Sequence, residues 1–424
     1  MLSLNFLLLP FTFFLIFLVY MYNSIFMLNS SVCYLNVFYD EISLFIVFMT
    51  LFVIFSSLMF CIRLLNLKLV VTLLFMLVIC LLVFTTRSMF LLYLYYEASL
   101  LPILYIIIKW GSYPERSVRS IILLLYTAVF TFPFVYILFS FYRSFNSFSF
   151  MLLNTSLALS PSLFTTLFIF ITFAVKLPIY GLHFWLPIAH VEAPTFGSII
   201  LAGVLLKLGG VGLLRFASLI DISMLKTVIL GYFMVFLCYV TLICCFQSDF
   251  KRLVAYSSVS HMITIPIILF SSRVLSFKGV ISIIFLHGVS SPLLFSLVGI
   301  VYSMTSTRQH ILIRGLASSN PLVLFFMVLS FFFSLSAPPY PSFISEVFFS
   351  ISSLYIWEQS FYFVVIFLFL SIVYNLLWVT SARFFTQDSY QAYCYIISYS
   401  SFLSIFLSLF TVPFLFTILF FNIL

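Results

Sequence analysis

Hydrophobic and polar positions along this chain fall into long blocks. Apolar runs of about twenty residues, the length that crosses a bilayer as a helix, are separated by short polar stretches. The runs cover about 4–21, 42–62, 69–86, 89–110, 120–142, Leu163–Val175, Ile199–Leu214, 227–246, 253–272, 279–303, 361–382 and 394–422. A further run over 318–357 is broken once, at SAPPYP (336–341), and reads as one discontinuous helix. Lipid offers the backbone no hydrogen bonds, so spanning segments must be helices or a closed barrel. The runs lack period-two alternation, which decides for helices. The pattern predicts an all-α polytopic membrane protein with about thirteen transmembrane helices.

Composition closes off the soluble alternative. Hydrophobic residues make up 65% of the chain and charged residues 7%, with a mean hydropathy of +1.31. That is too little polar side chain to cover a globule of 424 residues. The net charge of +8 does not suggest nucleic acid, because the eighteen Lys and Arg are scattered singly or in pairs along the loops. They carry topology instead. With alternating spans, ten (Arg63, Lys68, Lys109, Arg116, Arg119, Lys251, Arg252, Arg308, Arg314, Arg383) lie on one side. Six (Arg87, Arg143, Arg215, Lys226, Arg273, Lys278) lie on the other, so the first side is expected to be the inner one.

The seven cysteines show no metal or redox spacing, and adjacent Cys244 and Cys245 are not a CxxC pair. LGGVG at 208–212 lies inside an apolar run and follows no strand, so it is not a dinucleotide loop. Small residues there let neighbouring helices approach. No bound cofactor or metal and no electron transfer within this chain are expected. The N-terminal MLSLNFLLLPFTFFLIFLVY has no basic n-region, cleavage site or Arg/Ser-rich presequence and reads as the first span. The 59 phenylalanines fit a T-rich organelle coding strand, the alternative being a lipid-facing preference for Phe.

Against this background a few polar residues stand out. Glu97, Lys176, Lys207 and Glu346 lie deep in apolar runs, and His261 and His287 lie near or inside them. An ammonium at mid-bilayer costs ~3 kcal/mol on insertion scales, so these residues need partners, water or a task. Burial disfavours the charged form of Lys and of Glu alike, which brings both towards switchable protonation, and a neighbouring opposite charge undoes this. A Glu97–Lys176 pair would then be a gate, charged while paired and able to release a proton when separated. Lys207, with no acid nearby on its own segment, is the candidate central carrier. Each has a plainer reading too. Glu97 and Lys176 as a static ion pair, Lys207 as a snorkelling side chain, Glu346 as a helix-start contact and the two histidines as hydrogen-bonded packing residues all remain open.

Between the two lysine-bearing segments lies a polar elbow with His183, Trp185, Pro187, His190 and Glu192. It reads as an interfacial loop with Trp185 as anchor, a zinc site being the remote alternative. Prolines break the helices at Pro178 and at Pro338–Pro339. They stand in corresponding places of two five-helix blocks, which predicts two five-helix inverted repeats, each with a broken helix. The repeat does not show in residue identities. The expected divisions are 1–67 (N-terminal helices), 68–222 and 223–385 (the two repeats) and 386–424 (C-terminal helix).

The segment VKLPIYGLHFWLPIAHVEAPT followed by LLKLGGVGLLR resembles the antiporter-like membrane subunits of respiratory complex I, and within that group the mitochondrial subunit 4 family. MFLLYLYYEASLLPILYIIIKW with GSYPERSVRS, and QSDFKRL with AYSSVSHM, resemble it as well. The matches run from about residue 90 to about residue 350. The resemblance implies a core membrane-arm subunit of proton-translocating NADH:ubiquinone oxidoreductase in the mitochondrial inner membrane. Its partners would be the other membrane-arm subunits and lipid. NADH and ubiquinone would be substrates of the whole complex, acted on elsewhere.

For the residues, the resemblance implies that Glu97 pairs with Lys176. It also implies that Lys207 and Glu346, with His261 and His287 between them, continue a hydrated axis along the membrane midplane. At the second break the family reads Asn-Phe-x-Gly-Glu; here SFISEVFF puts Ser345 in place of the glycine before Glu346. The family also has one more helix, so a shorter N-terminal part is expected. Two other classes stay open: a free-standing cation/proton antiporter and a non-conducting structural subunit.

Overall fold

In the computed structural model the described residues are 33–34, 37–38, 41–61, 66–150, 162–179, 181–220, 226–271, 274–310, 320–338, 340–383 and 405. Apart from a two-residue antiparallel pair, β1 (Cys33–Tyr34) with β2 (Val37–Phe38), the architecture is all-α. The helices are α1 (Glu41–Phe60), α2 (Leu67–Thr85), α3 (Met89–Ala98), α4 (Leu100–Trp110), α5 (Arg116–Phe145), α6 (Leu163–Lys176) and α7 (Trp185–Glu192). Then come α8 (Thr195–Arg215), α9 (Lys226–Cys245), α10 (Phe250–Leu269), α11 (Val274–Thr305), α12 (Pro321–Ser334), α13 (Ser342–Ile356) and α14 (Ser360–Arg383). Among the described residues eight helices are long and apolar enough to cross a membrane, taking α3 with α4 as one, and four shorter apolar helices accompany them. The expected spans at 4–21 and 394–422 lie almost wholly outside the described residues.

The chain divides into two compact units, Met1–Lys226 and Thr227–Leu424. Within each, burial separates central helices from peripheral ones. The most apolar stretch of α8 is 100% buried and that of α5 only 33%; in the second unit α11 is 100% buried and α14 33%. The outward faces of the peripheral helices carry Phe132, Tyr136 and Phe369, all well exposed. Large apolar side chains in that position suit lipid, where no polar cover is needed.

Prolines shape both units. The run expected as one span over 89–110 is interrupted at Ser99, and Pro102 lies in the first turn of α4, where a missing N–H costs little. Pro133, Pro266 and Pro292 sit within continuous helices. The break after α6 is fully accounted for. Pro178 brings no donor, Ile179 N–H takes the Ala174 carbonyl at 3.3 Å, and Trp185 Nε1 donates to the Val175 carbonyl at 2.9 Å. Orphan carbonyls at a buried helix end need such partners.

In the second unit the expected break between α12 and α13 is present. Ser336 takes the left-handed conformation (φ 53°) and Ala337 N–H reaches back to the Phe332 carbonyl at 3.2 Å, the Schellman closure. Ser342 Oγ then caps the Phe333 carbonyl at 2.9 Å. Each half is about fifteen residues long, short of a full crossing.

Candidate functional site

In the first unit the two expected lysines sit on packed neighbours, α6 and α8. Lys176 is 2% exposed and Lys207 0%. Lys207 stands two residues beyond a π-helical stretch, Leu201–Leu205, and its Nζ donates to the Ala202 carbonyl at 2.5 Å. A π-turn shifts the i→i−4 ladder and leaves carbonyl capacity free. The buried ammonium meets that capacity on its own helix. This is not a snorkelling geometry, since the side chain reaches back along the helix inside a wholly buried segment.

Lys176 differs from the expectation. The direct ion pair with Glu97 is not formed: among the described residues the ion pairs within 4.0 Å include none between them. Lys176 Nζ instead donates to the Tyr96 carbonyl at 2.8 Å and lies 3.1 Å from the centre of the Tyr96 ring. The interruption at Ser99 explains the acceptor. Ser99 Oγ shares the same Tyr96 carbonyl at 2.7 Å, so that oxygen serves side-chain donors at the helix break. Glu97 is half-buried, and its Oε1 is enclosed without a hydrogen bond. A cation on a desolvated ring is worth about 2 kcal/mol or more, which helps to hold the ammonium on Tyr96.

The elbow is also not what its polarity suggested. His183, Trp185, His190 and Glu192 are all buried, so Trp185 is an internal strut and not an interface anchor. The first turn of α5 folds against it: Arg119 Nε meets Glu192 Oε1 at 2.8 Å, and Arg119 also pairs with Glu115 on the exposed side. Among the described residues no group of His, Cys, Asp and Glu is arranged to hold a metal ion. Burial holds the His183 imidazole below its ordinary range. Burial also raises the Glu192 carboxyl, with Arg119 pulling it back down.

Removing Arg119 therefore has a pH-dependent cost. A carboxyl raised in the fold favours the folded state below the unfolded pKa and loses that contribution as pH rises through the folded value. Without Arg119 the Glu192 carboxyl rises further. Arg119→Ala is thus expected to be mildly destabilising at pH 4–5 (near the ordinary Glu range) and clearly destabilising at pH 8. Thermal unfolding of the detergent-solubilised protein at the two pH values measures it; an equal loss at both would remove Glu192 as the cause.

In the second unit the helix break opens a cavity. His261 (α10), His287 (α11) and Glu346 (α13) line it together with Ser336, Ser342 and Ser345. The two imidazole rings are 5.7 Å apart centre to centre. Glu346 Oε1 is enclosed and accepts no hydrogen bond. The cavity offers about 30 Å³ to the centres of water molecules, room for roughly two where one needs ~10–15 Å³. Ser345, which departs from the family glycine, is buried and turned onto the Ser342 carbonyl at 2.6 Å, so it leaves Glu346 free to face the cavity. Three switchable groups around a water-sized polar space are what proton transfer by short hops needs.

Two features went unread in the sequence. Tyr96 looked like one aromatic among several in LYLYY, although its place directly before Glu97 was a usable signal. Lys251, counted among the charges between the expected spans, is 3% exposed inside α10; its position one residue after an apolar Phe250 that packs on Trp378 at 4.0 Å was not interpretable without the fold.

With this geometry in view, the sequence matches the family described as NADH:quinone oxidoreductase/Mrp antiporter, transmembrane, over residues 86–375. Curated relatives named NADH-ubiquinone oxidoreductase chain 4 include that of Petromyzon marinus, 34% identical over 65% of this chain and 62% of the relative. Those of Paracentrotus lividus (36% identical, 65% and 61%) and Locusta migratoria (35%, 69% and 66%) are similar. The chain thus spans about six-tenths of the length of the curated relatives it matches. A chain of the solved respiratory complex I from Thermus thermophilus with bound NADH shares the fold, with a TM-score of 0.80, 22% identity, and coverage of 89% of this chain and 81% of that one.

Proposed function

This chain belongs to the NADH:quinone oxidoreductase/Mrp antiporter transmembrane family, and from that premise we propose that it is a proton-conducting membrane-arm subunit of NADH:ubiquinone oxidoreductase. The observation that carries the proposal is the pair of lysines, 2% and 0% exposed, on adjacent helices within the family-matched region. Stability alone gives no reason for two buried ammonium groups, since apolar replacements of buried charges are often neutral or stabilising. A proton carrier is a reason.

In this reading Lys176, released from its partner, delivers a proton towards Lys207, whose own-helix carbonyl holds the protonated form. In the second unit His261, His287 and Glu346 pass protons around the cavity. Redox chemistry on NADH and ubiquinone takes place elsewhere in the assembly and supplies the driving force, with no cofactor held by this chain. The two five-helix repeats, 68–222 and 223–385, are the architectural counterpart of the two clusters. The mitochondrial inner membrane is the corresponding location, other membrane-arm subunits and lipid are the partners, and the chain is organelle-encoded.

A free-standing cation/proton antiporter is the second reading, because the matched family covers antiporters as well. A native gel of gently solubilised membranes, stained for NADH oxidation and read by mass spectrometry, separates the two. The chain is expected in a large NADH-oxidising band. Its appearance alone or with a few membrane proteins, away from that activity, would transfer the assignment to the antiporter.

A further inference from the structure

We propose that Tyr96 is a second seat for the Lys176 ammonium, alternative to Glu97, and therefore a positioning residue for the proton step. The functional part of this rests on the conduction reading above; the structural part stands without it. The ring centre lies 3.1 Å from Nζ and the Tyr96 carbonyl accepts from the same Nζ at 2.8 Å, so one residue offers both a π face and an oxygen. The seat is built, not incidental. Tyr96 is 2% exposed, its hydroxyl reaches the Thr172 carbonyl on α6 at 3.3 Å, and Phe173 braces its ring edge-on at 5.7 Å.

Glu97 is the next residue on the same helix, with an enclosed oxygen that accepts no hydrogen bond. The Glu97 carboxylate is thus a second acceptor on the same helix, one residue along from the seat that the ammonium occupies. On Glu97 it is an ion pair that holds its proton. On Tyr96 it faces a neutral ring and a carbonyl, neither of which takes the proton, so the proton remains transferable onward. A gate needs such a neutral resting place. Without one, a lysine leaving the carboxylate would face only apolar surroundings, and the pair would stay closed.

The test uses the assembled membrane complex carrying Tyr96→Leu, Tyr96→Met, Tyr96→Phe or Lys176→Met. Two readouts are taken: the Nζ position by electron cryo-microscopy and the proton yield per electron in proteoliposomes. In Tyr96→Leu, Nζ is expected within ion-pairing distance of the Glu97 carboxylate, and the proton yield is expected to fall to that of Lys176→Met. Tyr96→Met fills similar space without a ring and serves if the leucine variant does not assemble. Tyr96→Phe, which keeps the ring, is expected to hold Nζ in place and to recover most of the yield. If Nζ stays on the residue-96 carbonyl when the ring is gone, or if phenylalanine fails as leucine does, the seat is refuted. If Lys176→Met leaves the yield at the wild-type value, the conduction reading fails, while the Nζ position still decides the seat.

Discussion

Lys207→Met is expected to leave the chain assembled while abolishing its share of proton transport. Lys207 is 0% exposed in a helix segment that is buried throughout. Methionine has nearly the same length and no charge. The variant sheds a burial cost of ~3 kcal/mol on insertion scales and loses a charge-assisted hydrogen bond to the Ala202 carbonyl, worth about 1.5–3 kcal/mol. The gain and the loss oppose one another, so folding is expected to be spared. Transport is not spared, because methionine carries no exchangeable proton. The measurement is the proton-to-electron ratio of the assembled complex at unchanged NADH oxidation capacity. An unchanged ratio would make Lys207 a structural residue and favour a non-conducting subunit.

Substituting Gly212 is expected to have the largest effect on assembly. A Cβ at this position would stand 2.1 Å from a Phe173 ring carbon, and Phe173 is 1% exposed. That ring stacks on Phe216 at 5.3 Å and meets Phe134 edge-on at 5.4 Å, so it has nowhere to withdraw. Gly209, one turn earlier, also lets α8 approach α6, where a Cβ would lie 2.9 Å from the Phe173 carbonyl oxygen. Overpacking of a dense core costs about 1–3 kcal/mol, and leucine at 212 exceeds the ordinary case because helix-to-helix distance itself must grow. Gly212→Leu should sharply reduce the amount of chain in the membrane complex, measured by immunoblot of native gels. Gly231→Ala is the matched control. Its Cβ would meet nothing nearer than Trp357 at 3.9 Å, and alanine favours a helix over glycine by about 1 kcal/mol, so the complex should be undiminished. Loss in both variants would mean that helix propensity or membrane insertion, not the Phe173 contact, governs assembly.

The long apolar blocks made the all-α membrane class legible without any coordinates, because a bilayer admits so few backbone solutions. For the same reason the ionisable residues inside those blocks stood out: in lipid each is an expense that composition alone reveals. Pro178 and the SAPPYP stretch announced helix breaks, since a missing N–H acts locally. The sequence by itself therefore determined the helical class, the approximate spans and the two breaks, and it marked out some of the buried titratable groups, though not Lys251 or those of the elbow. What each group touches was decided only by the tertiary structure. Opposite charge suggested that Lys176 would rest on Glu97, yet it rests on Tyr96, because the interruption at Ser99 offers the Tyr96 carbonyl and Thr172 and Phe173 of α6 hold the Tyr96 ring beside the ammonium. Polar character suggested a wet elbow, yet His190 and Glu192 are buried, with Arg119 closing on Glu192. Which oxygen lies nearest an ammonium depends on helix rotation and on tenths of an ångström set by residues such as Gly212 and Phe173. That information belongs to packing between distant segments, and no local pattern in the chain carries it.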